Sequence, residues 1–277
     1  MKSFIAQKKE KLNKAVLRFY DGKLTYGEFI KLLRKKDISV CGKRVNADVT
    51  VDVGSEVKVY FDEAKTALKT KPVSYAYKDE NVLVAVKPAK TDIYDFESGV
   101  KREYPAARLA HRLDTNTQGL VVFTLNPVAE KEAYNAFKER LIKKTYVAEV
   151  YGVFAPPSGT LTDYLVKDEA SGTVKIYKTP KEGAVRIITE YETLETRGET
   201  SVLKVGLITG KTHQIRAHLA FYGHFIIGDG KYGVNEINKK FKAKYQRLTA
   251  AEITFNFGAN SPLNYLNGKT VKMPETK

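Results

Sequence analysis

The chain has 277 residues and a formal net charge of +15, from 47 Lys and Arg against 32 Asp and Glu residues. This length allows one large domain or two, with a sizeable buried core. The charge favours a polyanionic partner, with a merely solubilising basic surface as the alternative. No run of residues approaches the ~20 apolar residues of a membrane span. Residues 1–14 lack the apolar segment of a signal peptide.

Cysteine and histidine usage limits the chemistry that the chain can perform. Cys41 is the single cysteine, which excludes an internal disulfide and favours a reducing, cytoplasmic compartment. Because Cys41 ends a strand-like run, it is predicted to be a small buried residue. His213 and His218 lie five residues apart, off the i, i+4 spacing of two helical metal ligands. With no cysteine cluster and no glycine-rich phosphate loop, the sequence predicts neither a metal nor a cofactor.

The N-terminal part, residues 12–61, is predicted to form a small α+β module. Apolar spacing predicts a first helix over 12–20, and the capping-box pair Thr25 and Glu28 precedes a second one. The basic side chains outside the apolar face of the second helix are Lys31, Arg34, Lys35 and Lys36. Such cations can follow a phosphate backbone without reading bases. A solvated charged face on a structural domain is the alternative.

The most informative stretch is the polar loop 110–117, which leads through a turn into the apolar strand segment 120–125. The loop contains Arg112 and Asp114, and Asp114 is its single carboxylate. A rigid strand behind a polar loop is a common location for catalytic groups.

The rest of the chain is predicted to alternate between strands and helices. Strands are predicted at 82–86, 144–152, 185–195, 200–208 and 253–257. Helices are predicted after the Asn126–Pro127 cap, after a Thr212 cap with Ile215, Leu219 and Tyr222 on one face, and over 235–246 with Tyr245 inward. The polar, turn-rich segment 159–177 is predicted to be a surface insertion.

Three ordered motifs resemble the RluA-like pseudouridine synthases. The first is His111-Arg112-Leu113-Asp114 followed by Thr117-Gln118-Gly119, and the second is Lys144-Thr145-Tyr146-Val147-Ala148. The third is Gly210-Lys211-Thr212-His213-Gln214-Ile215-Arg216-Ala217-His218-Leu219, continuing to Gly228-Asp229. The N-terminal module resembles an S4 RNA-binding domain, through its two basic helices and the segments 38–43 and 53–57. The order of the motifs makes the resemblance specific.

The resemblance implies an α+β fold class. It implies an S4-like domain at 1–62, a linker at 63–72, and a catalytic domain at 73–277 with a mixed, mainly antiparallel β-sheet and flanking helices. The implied reaction converts uridine to pseudouridine in structured RNA without a cofactor. Large-subunit ribosomal RNA is the favoured partner, tRNA is the alternative, and the protein is expected to be a monomer.

The resemblance also implies roles for individual residues. Asp114 matches the catalytic aspartate, whose attack on C1′, addition to the base or deprotonation of the sugar all stay open. Arg216 matches the arginine that pairs with it, and Tyr146 matches a tyrosine that contacts the target base. Arg112 matches an arginine that enters the RNA stack as the uridine is extruded. His111 and Lys211 are placed with the RNA-contacting residues, with hydrogen bonding inside the loop as the alternative for His111.

Two positions within the synthase motifs depart from the family pattern. Gln118 stands where Ser is usual, and Lys211 stands where Arg is usual, which removes a bidentate fork.

Two other functions stay open. A catalytically silent RNA-binding protein could use the same basic surfaces, but it would have no need of an acid such as Asp114 near its RNA. A hydrolase with two carboxylates lacks an identifiable second acid.

Overall fold

The chain forms two compact units in the computed structural model, which describes residues 1–21, 24, 26–61, 72–168 and 171–274. The first unit contains Met1–Val73 and Asp92–Pro105, and the second contains Ser74–Thr91 and Ala106–Lys277. The predicted cap Thr25 and residues 63–71 of the predicted linker lie outside the described residues. The domain boundaries at 62 and 73 therefore stay a prediction.

The first unit combines helices with a small antiparallel sheet. Its strands are β1 (Lys2–Ile5), β2 (Glu10–Lys11), β3 (Ile38–Val40), β4 (Lys43–Val45), β5 (Thr50–Val51) and β6 (Glu56–Val59). Its helices are α1 (Leu12–Tyr20), α2 (Tyr26–Arg34) and α3 (Ile93–Glu103). The sheet has the order β1-β6-β3-β4. Phe29, Leu32 and Leu33 of α2 are buried in its core, as their spacing predicts.

The prediction that Cys41 is buried was wrong. Its side chain is exposed, and its φ of +48° places it in the left-handed region. Val40 pairs with Lys43, so Cys41 and Gly42 form the two-residue turn between β3 and β4. Such tight hairpin turns need positive φ at both positions, and the strand therefore ends one residue earlier than the apolar run suggests.

The second unit is built on a large sheet. Its strands are β7 (Ser74–Lys78), β8 (Val82–Lys87), β9 (Arg108–Leu109), β10 (Gln118–Thr124), β11 (Lys143–Tyr151), β12 (Ser158–Asp168), β13 (Thr173–Tyr177), β14 (Val185–Arg197), β15 (Thr200–Leu207), β16 (Leu248–Thr254) and β17 (Thr270–Lys272). Its helices are α4 (Pro127–Lys138), α5 (Gln214–Phe221) and α6 (Asn235–Lys240). The sheet order is β13-β12-β14-β15-β11-β16-β10-β8-β7, with β17 beside β16 and β9 beside β10. Antiparallel pairs dominate, β10 and β16 run parallel, and the predicted mixed, mainly antiparallel fold is confirmed.

Several predicted elements of this unit are found in the structure. The Asn126 side chain accepts the Ala129 backbone N–H and Pro127 opens α4, as the cap prediction requires. Tyr146 and alternate residues of β11 are buried. Within the described residues, no helix has the length and apolar character needed to cross a membrane.

The prediction of a surface insertion at 159–177 was wrong. This segment forms β12 and β13, which pair with each other and extend the sheet beyond β14. Leu165, Val174 and Ile187 pack against Ala217 of α5 in one buried cluster. The polar residues Thr160 and Thr162 lie on the exposed face of β12, whereas Asp163 is buried. The segment supports the helix that contains Arg216.

Two helix predictions need correction. α5 begins at Gln214, and its cap is His213 in the left-handed conformation, with φ of +54°, instead of Thr212. α6 ends at Lys240 instead of 246 because Lys242 adopts a φ of +50° and the Ala243 backbone N–H bonds to the Asn238 carbonyl. Tyr245, predicted to point inward, is exposed.

Gly119, just after the polar loop, is required by its surroundings. Its φ is +123°, and a Cβ at this position would lie 2.3 Å from the backbone oxygen of Ala250 on β16. The parallel pairing of β10 and β16 at this point therefore requires a residue without a Cβ at position 119.

We expect Gly119→Ala to lower the free energy of unfolding by about 3 kcal/mol or more, because β16 must move or the backbone must strain. Urea unfolding measures this change. Gly258→Ala is the matched control, since its added Cβ would meet nothing within 4 Å, and it should change stability by less than about 1 kcal/mol. Equal stabilities of the two variants would contradict the close approach.

Candidate active site

A cavity of about 180 Å³ brings predicted site residues from distant parts of the second unit together. The predicted residues that line it are Arg112, Asp114, Tyr146, Lys211 and Arg216. Arg112 and Lys211 are exposed, whereas Tyr146 and Arg216 are buried. The other predicted cations, Lys31, Arg34, Lys35 and Lys36, are exposed on α2 and just after it in the first unit. The sequence motifs thus meet in one place.

Arg216 lies between two carboxylates. Its Nη1 donates to Oδ2 of Asp114 at 2.8 Å, while its Nε and Nη2 donate to the two oxygens of Asp229 at 2.7 and 2.9 Å. Asp229 is fully buried, and its Oδ1 also accepts the backbone N–H groups of Lys231 and Tyr232. The fork-shaped contact with Asp229 fixes the direction of the guanidinium.

The contacts between Arg216 and the two carboxylates favour the charged forms of Arg216 and Asp229. Burial opposes a charged Arg216, but its hydrogen bonds and ion pairs with Asp229 and then Asp114 raise its pKa above the usual value. Burial likewise disfavours a charged Asp229, yet hydrogen bonds from Arg216 and from backbone N–H groups lower its pKa. Arg216 and Asp229 are therefore a fixed ion pair across the working range of pH.

Asp114 has a different environment from Asp229. Its side chain is 24% exposed against 0% for Asp229, and among the described residues only its Oδ2 has a hydrogen bond, the one from Arg216. Its Oδ1 has no partner within that part of the chain and belongs to the cavity wall. Asp114 is thus charge-compensated but keeps one oxygen available for reaction.

His213 faces the same carboxylate. Its Nε2 lies 3.8 Å from Oδ2 of Asp114, and its Nδ1 lies 2.8 Å from the hydroxyl of Tyr232. That hydroxyl accepts the Val174 backbone N–H, so its own proton can go to Nδ1, which assigns the remaining ring proton to Nε2. Burial lowers the pKa of His213, although the charge of Asp114 acts in the opposite direction.

Tyr146 lies on β11, whose neighbours are β15 and β16. Burial raises the pKa of its hydroxyl, and the charge of Asp114 adds to this effect. Tyr146 is therefore a neutral hydrogen-bonding group with a flat ring beside the acid. Such a ring can stack on a pyrimidine base.

The loop that contains Asp114 is held by the buried cation Lys87. Lys87, at the end of β8, is fully buried, and its ammonium donates to the carbonyls of Pro88, Thr91 and Thr115 at 2.8–3.1 Å. The Thr117 backbone N–H bonds to the carbonyl of Asp114 and closes the turn. A buried ammonium is tolerated when its protons are donated to such acceptors, so Lys87 helps to position the loop that contains Asp114.

His111 makes a contact within the fold. Its Nε2 accepts the backbone N–H of Val122 at 3.1 Å. Burial, followed by the charge of Lys144, lowers the pKa of His111 to about 3, which keeps the ring neutral. This geometry favours a structural role in which His111 bonds to β10, and contact of His111 with RNA stays a prediction. Gln118, the departure from Ser, donates to Thr249 across the pair β10 and β16.

A buried polar network holds α5 against the sheet. Asp163, on β12, accepts from Nε2 of His218 at 2.9 Å and from the hydroxyl of Tyr222 at 2.7 Å, and it lies 3.2 Å from the ammonium of Lys178. The other ring nitrogen of His218 lies 2.9 Å from Oγ1 of Thr189 on β14. The rotation of α5, and with it the direction of Arg216, is thereby determined.

Gln214 connects this network to the cavity wall. Its side-chain amide donates to Oγ1 of Thr189 and to the carbonyl of Ile188, both at 3.0 Å. Its side-chain oxygen accepts from the Thr209 hydroxyl and from the backbone N–H of Lys211. The loop 209–213 is therefore fixed to β14. Among the described residues, no group of three or more His, Cys, Asp and Glu side chains is placed to hold a metal ion.

Gln214 and Asp229 lie within the third sequence motif, but no role was predicted for either residue, and Asp163 was not predicted to be a site residue. For Asp163 a signal exists, because Leu161, Asp163 and Leu165 alternate onto the inward face of a strand, where an acid requires a partner. For Asp229 the local sequence contains no such signal. Its pairing with Arg216 depends on folding across a turn.

Comparisons with known proteins agree with this site. The sequence profile of the family described as RNA pseudouridylate synthase matches residues 72–221. This chain belongs to that family. It is 31% identical over 284 residues to a ribosomal large subunit pseudouridine synthase C of Rickettsia conorii, covering 91% of this chain and 92% of the relative. It is 33% identical over 168 residues to a dual-specificity RNA pseudouridine synthase RluA of Yersinia pestis, covering 56% of this chain and 80% of the relative.

Among solved structures, the fold resembles human RNA pseudouridylate synthase domain containing 1, with a TM-score of 0.63 and 24% sequence identity over 73% of this chain and 83% of that chain. The predicted membership in an RluA-like pseudouridine synthase family is confirmed. As a member of that family, the protein isomerises uridine to pseudouridine in RNA.

We expect Asp229→Asn to lower the free energy of unfolding by about 3–5 kcal/mol at neutral pH, because Arg216 loses its buried partner charge. The folded-state pKa of Asp229 is lowered, so its stabilisation is fully present above the ordinary carboxyl pKa of ~3.9. The difference from wild type should shrink as the pH falls through the lowered pKa, since protonation then removes the same charge. Urea unfolding over a pH series measures this.

The control is Glu199→Gln, which breaks the exposed ion pair with Lys240. It should cost about 0–1 kcal/mol. A stability difference between wild type and Asp229→Asn that stays constant down to the lowest pH would contradict the assignment of the charge.

Proposed function

We propose that the protein isomerises specific uridines in large-subunit ribosomal RNA, with Asp114 as the catalytic carboxylate acting on a uridine flipped out of its helix. The observation that carries the proposal is the cavity lined by Asp114, Tyr146 and Arg216, in which Arg216 donates to Asp114 and is held from the protein interior by the buried Asp229. Large-subunit RNA is favoured because relatives over most of the chain are named for that substrate.

Arg216 compensates the charge of the Asp114 carboxylate and orients it through the hydrogen bond to Oδ2. The ring of Tyr146 supports the extruded base. Arg112 is exposed at the cavity, where its planar guanidinium can replace the extruded base in the RNA stack. Extrusion of a base costs a few kcal/mol, and stacking of Arg112 offsets part of that cost.

The first unit supplies phosphate binding of the S4 type. Its cations Lys31, Arg34, Lys35 and Lys36 follow one another along and just after α2 and are exposed. Because these side chains are exposed, their charges are accessible to phosphates. Since one chain supplies Asp114, Tyr146 and Arg216, the protein can act as a monomer, and the free Cys41 fits a cytoplasmic location.

Two alternatives remain distinct from this proposal. The first is tRNA as the substrate, which comparison of ribosomal RNA and tRNA transcripts decides. The second is a silent RNA-binding protein on the same fold. A pure binder has no need for the ion pair between Arg216 and Asp114 inside a cavity, and this pair favours catalysis.

We expect Asp114→Asn to abolish pseudouridine formation because the variant lacks the carboxylate. RNA affinity should stay within about tenfold of wild type, since phosphate contacts dominate binding. Tritium release from C5-labelled uridine in unmodified ribosomal RNA and tRNA transcripts measures the reaction, and filter binding measures affinity. Product formation by this variant would refute the proposed chemistry.

We expect replacement of Lys31, Arg34, Lys35 and Lys36 by Gln to weaken RNA binding and to flatten its salt dependence. The slope of log affinity against log salt should fall by roughly 0.7 for each lost phosphate contact. Lys9→Gln with Lys58→Gln is the control, because these lysines in the same unit pair with Asp52 and Glu56 at 3.0 and 3.1 Å. An unchanged slope in the fourfold variant would exclude phosphate binding by α2.

A further inference from the structure

One more basic side chain lines the catalytic cavity. Lys144 lies on β11 two residues before Tyr146, so both side chains point to the same face of the strand. Both residues line the cavity. Lys144 is half-buried, whereas the adjacent Lys143 on the opposite face is exposed. The strand therefore presents an ammonium and an aromatic ring side by side to the substrate.

The ammonium of Lys144 has no acidic partner among the described residues. Within that part of the chain it makes no hydrogen bond or ion pair, and its one close ring contact is with Phe137, at 5.7 Å from Nζ to the centroid. Its Nζ lies beside the loop 209–213, where a Cβ added to Gly210 would be at the ordinary van der Waals distance of 3.5 Å. Burial lowers the pKa of Lys144, and no carboxylate raises it again.

A cation that is partly removed from water without a carboxylate is unfavourable by itself. Such an arrangement becomes favourable when an anion enters the cavity. Unpaired, desolvated charges are accordingly enriched at functional sites. The remaining question is which anion the cavity receives.

The proposed reaction produces an anion in this place. When the C1′–N1 bond breaks, the electron pair of the bond stays on N1, and the uracil becomes an anion whose charge is shared with its carbonyl oxygens. The electron deficiency at C1′ is compensated by the carboxylate of Asp114. After C5 bonds to C1′, the C5 proton leaves to solvent and N1 takes up a proton, so the product is an isomer of the substrate.

We propose that Lys144 is a further catalytic residue, whose ammonium donates a hydrogen bond to a carbonyl oxygen of the uracil and stabilises the negative charge of the departing base. This inference rests on the proposed function of Asp114. A fixed cation aimed at charge that develops in the transition state acts more strongly in a water-poor site than in solvent. Lys144 keeps its proton throughout, so it adds no step to the proton balance.

The other cations of the cavity are less suited to this role. Arg216 is engaged by Asp114 and Asp229. Arg112 and Lys211 are exposed, and the attraction between charges falls as solvent raises the effective dielectric. Lys144 alone among these four combines burial with freedom from a carboxylate in the described part of the chain.

The test compares Lys144→Met with Lys143→Met, which removes the same charge from the same strand on the face away from the cavity. Single-turnover conversion of uridine in unmodified ribosomal RNA should fall by about 100-fold in Lys144→Met, and the Kd for RNA should change by less than about threefold. Lys143→Met should alter neither. A rate for Lys144→Met within about threefold of wild type overturns the inference, as does a loss that lies wholly in Kd, which would assign Lys144 to a phosphate.

A second substrate separates a chemical role from a structural one. In RNA that contains 5-fluorouridine, the electron-withdrawing fluorine makes the base a better leaving group, which needs less stabilisation. The loss caused by Lys144→Met, measured as cleavage of the glycosidic bond, should therefore be at least about fivefold smaller than with uridine. An equal loss with both substrates means that the variant disturbs the cavity and overturns the inference.

These outcomes are distinguishable from failure of the proposed function. If wild type forms no product, or Asp114→Asn still forms it, the function of Asp114 fails. If wild type is active, Asp114→Asn is inactive and Lys144→Met is unimpaired, the inference on Lys144 fails alone.

Discussion

The catalytic unit depends on one guanidinium shared unequally between two carboxylates. Arg216 gives Nε and Nη2 to Asp229 and a single N–H to Asp114. The bidentate partner is fully buried and is fixed in turn by backbone N–H groups of Lys231 and Tyr232. This division engages both oxygens of Asp229 and only one oxygen of Asp114 among the described residues. Asp229 orients Arg216. The charge of Asp114 is compensated by Arg216, although only one of its two oxygens accepts a hydrogen bond from it.

The sheet and its helices can be understood as support for this contact. Arg216 lies on α5, and the direction of α5 depends on Asp163, His218 and the cluster around Ala217. Asp114 lies on a loop that is held by the hydrogen bond from Lys87 to the carbonyl of Thr115. The two partners lie 102 residues apart in the chain yet 2.8 Å apart in space. Errors of about 1 Å in catalytic geometry are costly, which explains buried polar networks on both sides.

The motifs and most of the local structure could be predicted from the sequence. The buried contacts that support the motif residues could not. Asp114, Tyr146 and Arg216 were recognisable because they lie in ordered motifs, and the apolar periodicity of β11 and the cap at Asn126 are local signals. The segment 159–177 was misjudged because polar residues on an exposed sheet face resemble those of a loop. The role of Asp229 was missed because no local pattern encodes a contact made across a turn.

The unequal sharing of Arg216 also has an electrostatic consequence. Arg216 has one positive charge, and Asp114 and Asp229 together have two negative charges when Asp114 is ionised. The three side chains then have a net negative charge. Bringing a polyanion to such a site is unfavourable unless other cations compensate. Arg112 and Lys211 at the exposed side of the cavity, and Lys144 deeper in it, provide that compensation. The net charge of +15 is in keeping with this requirement for compensating cations.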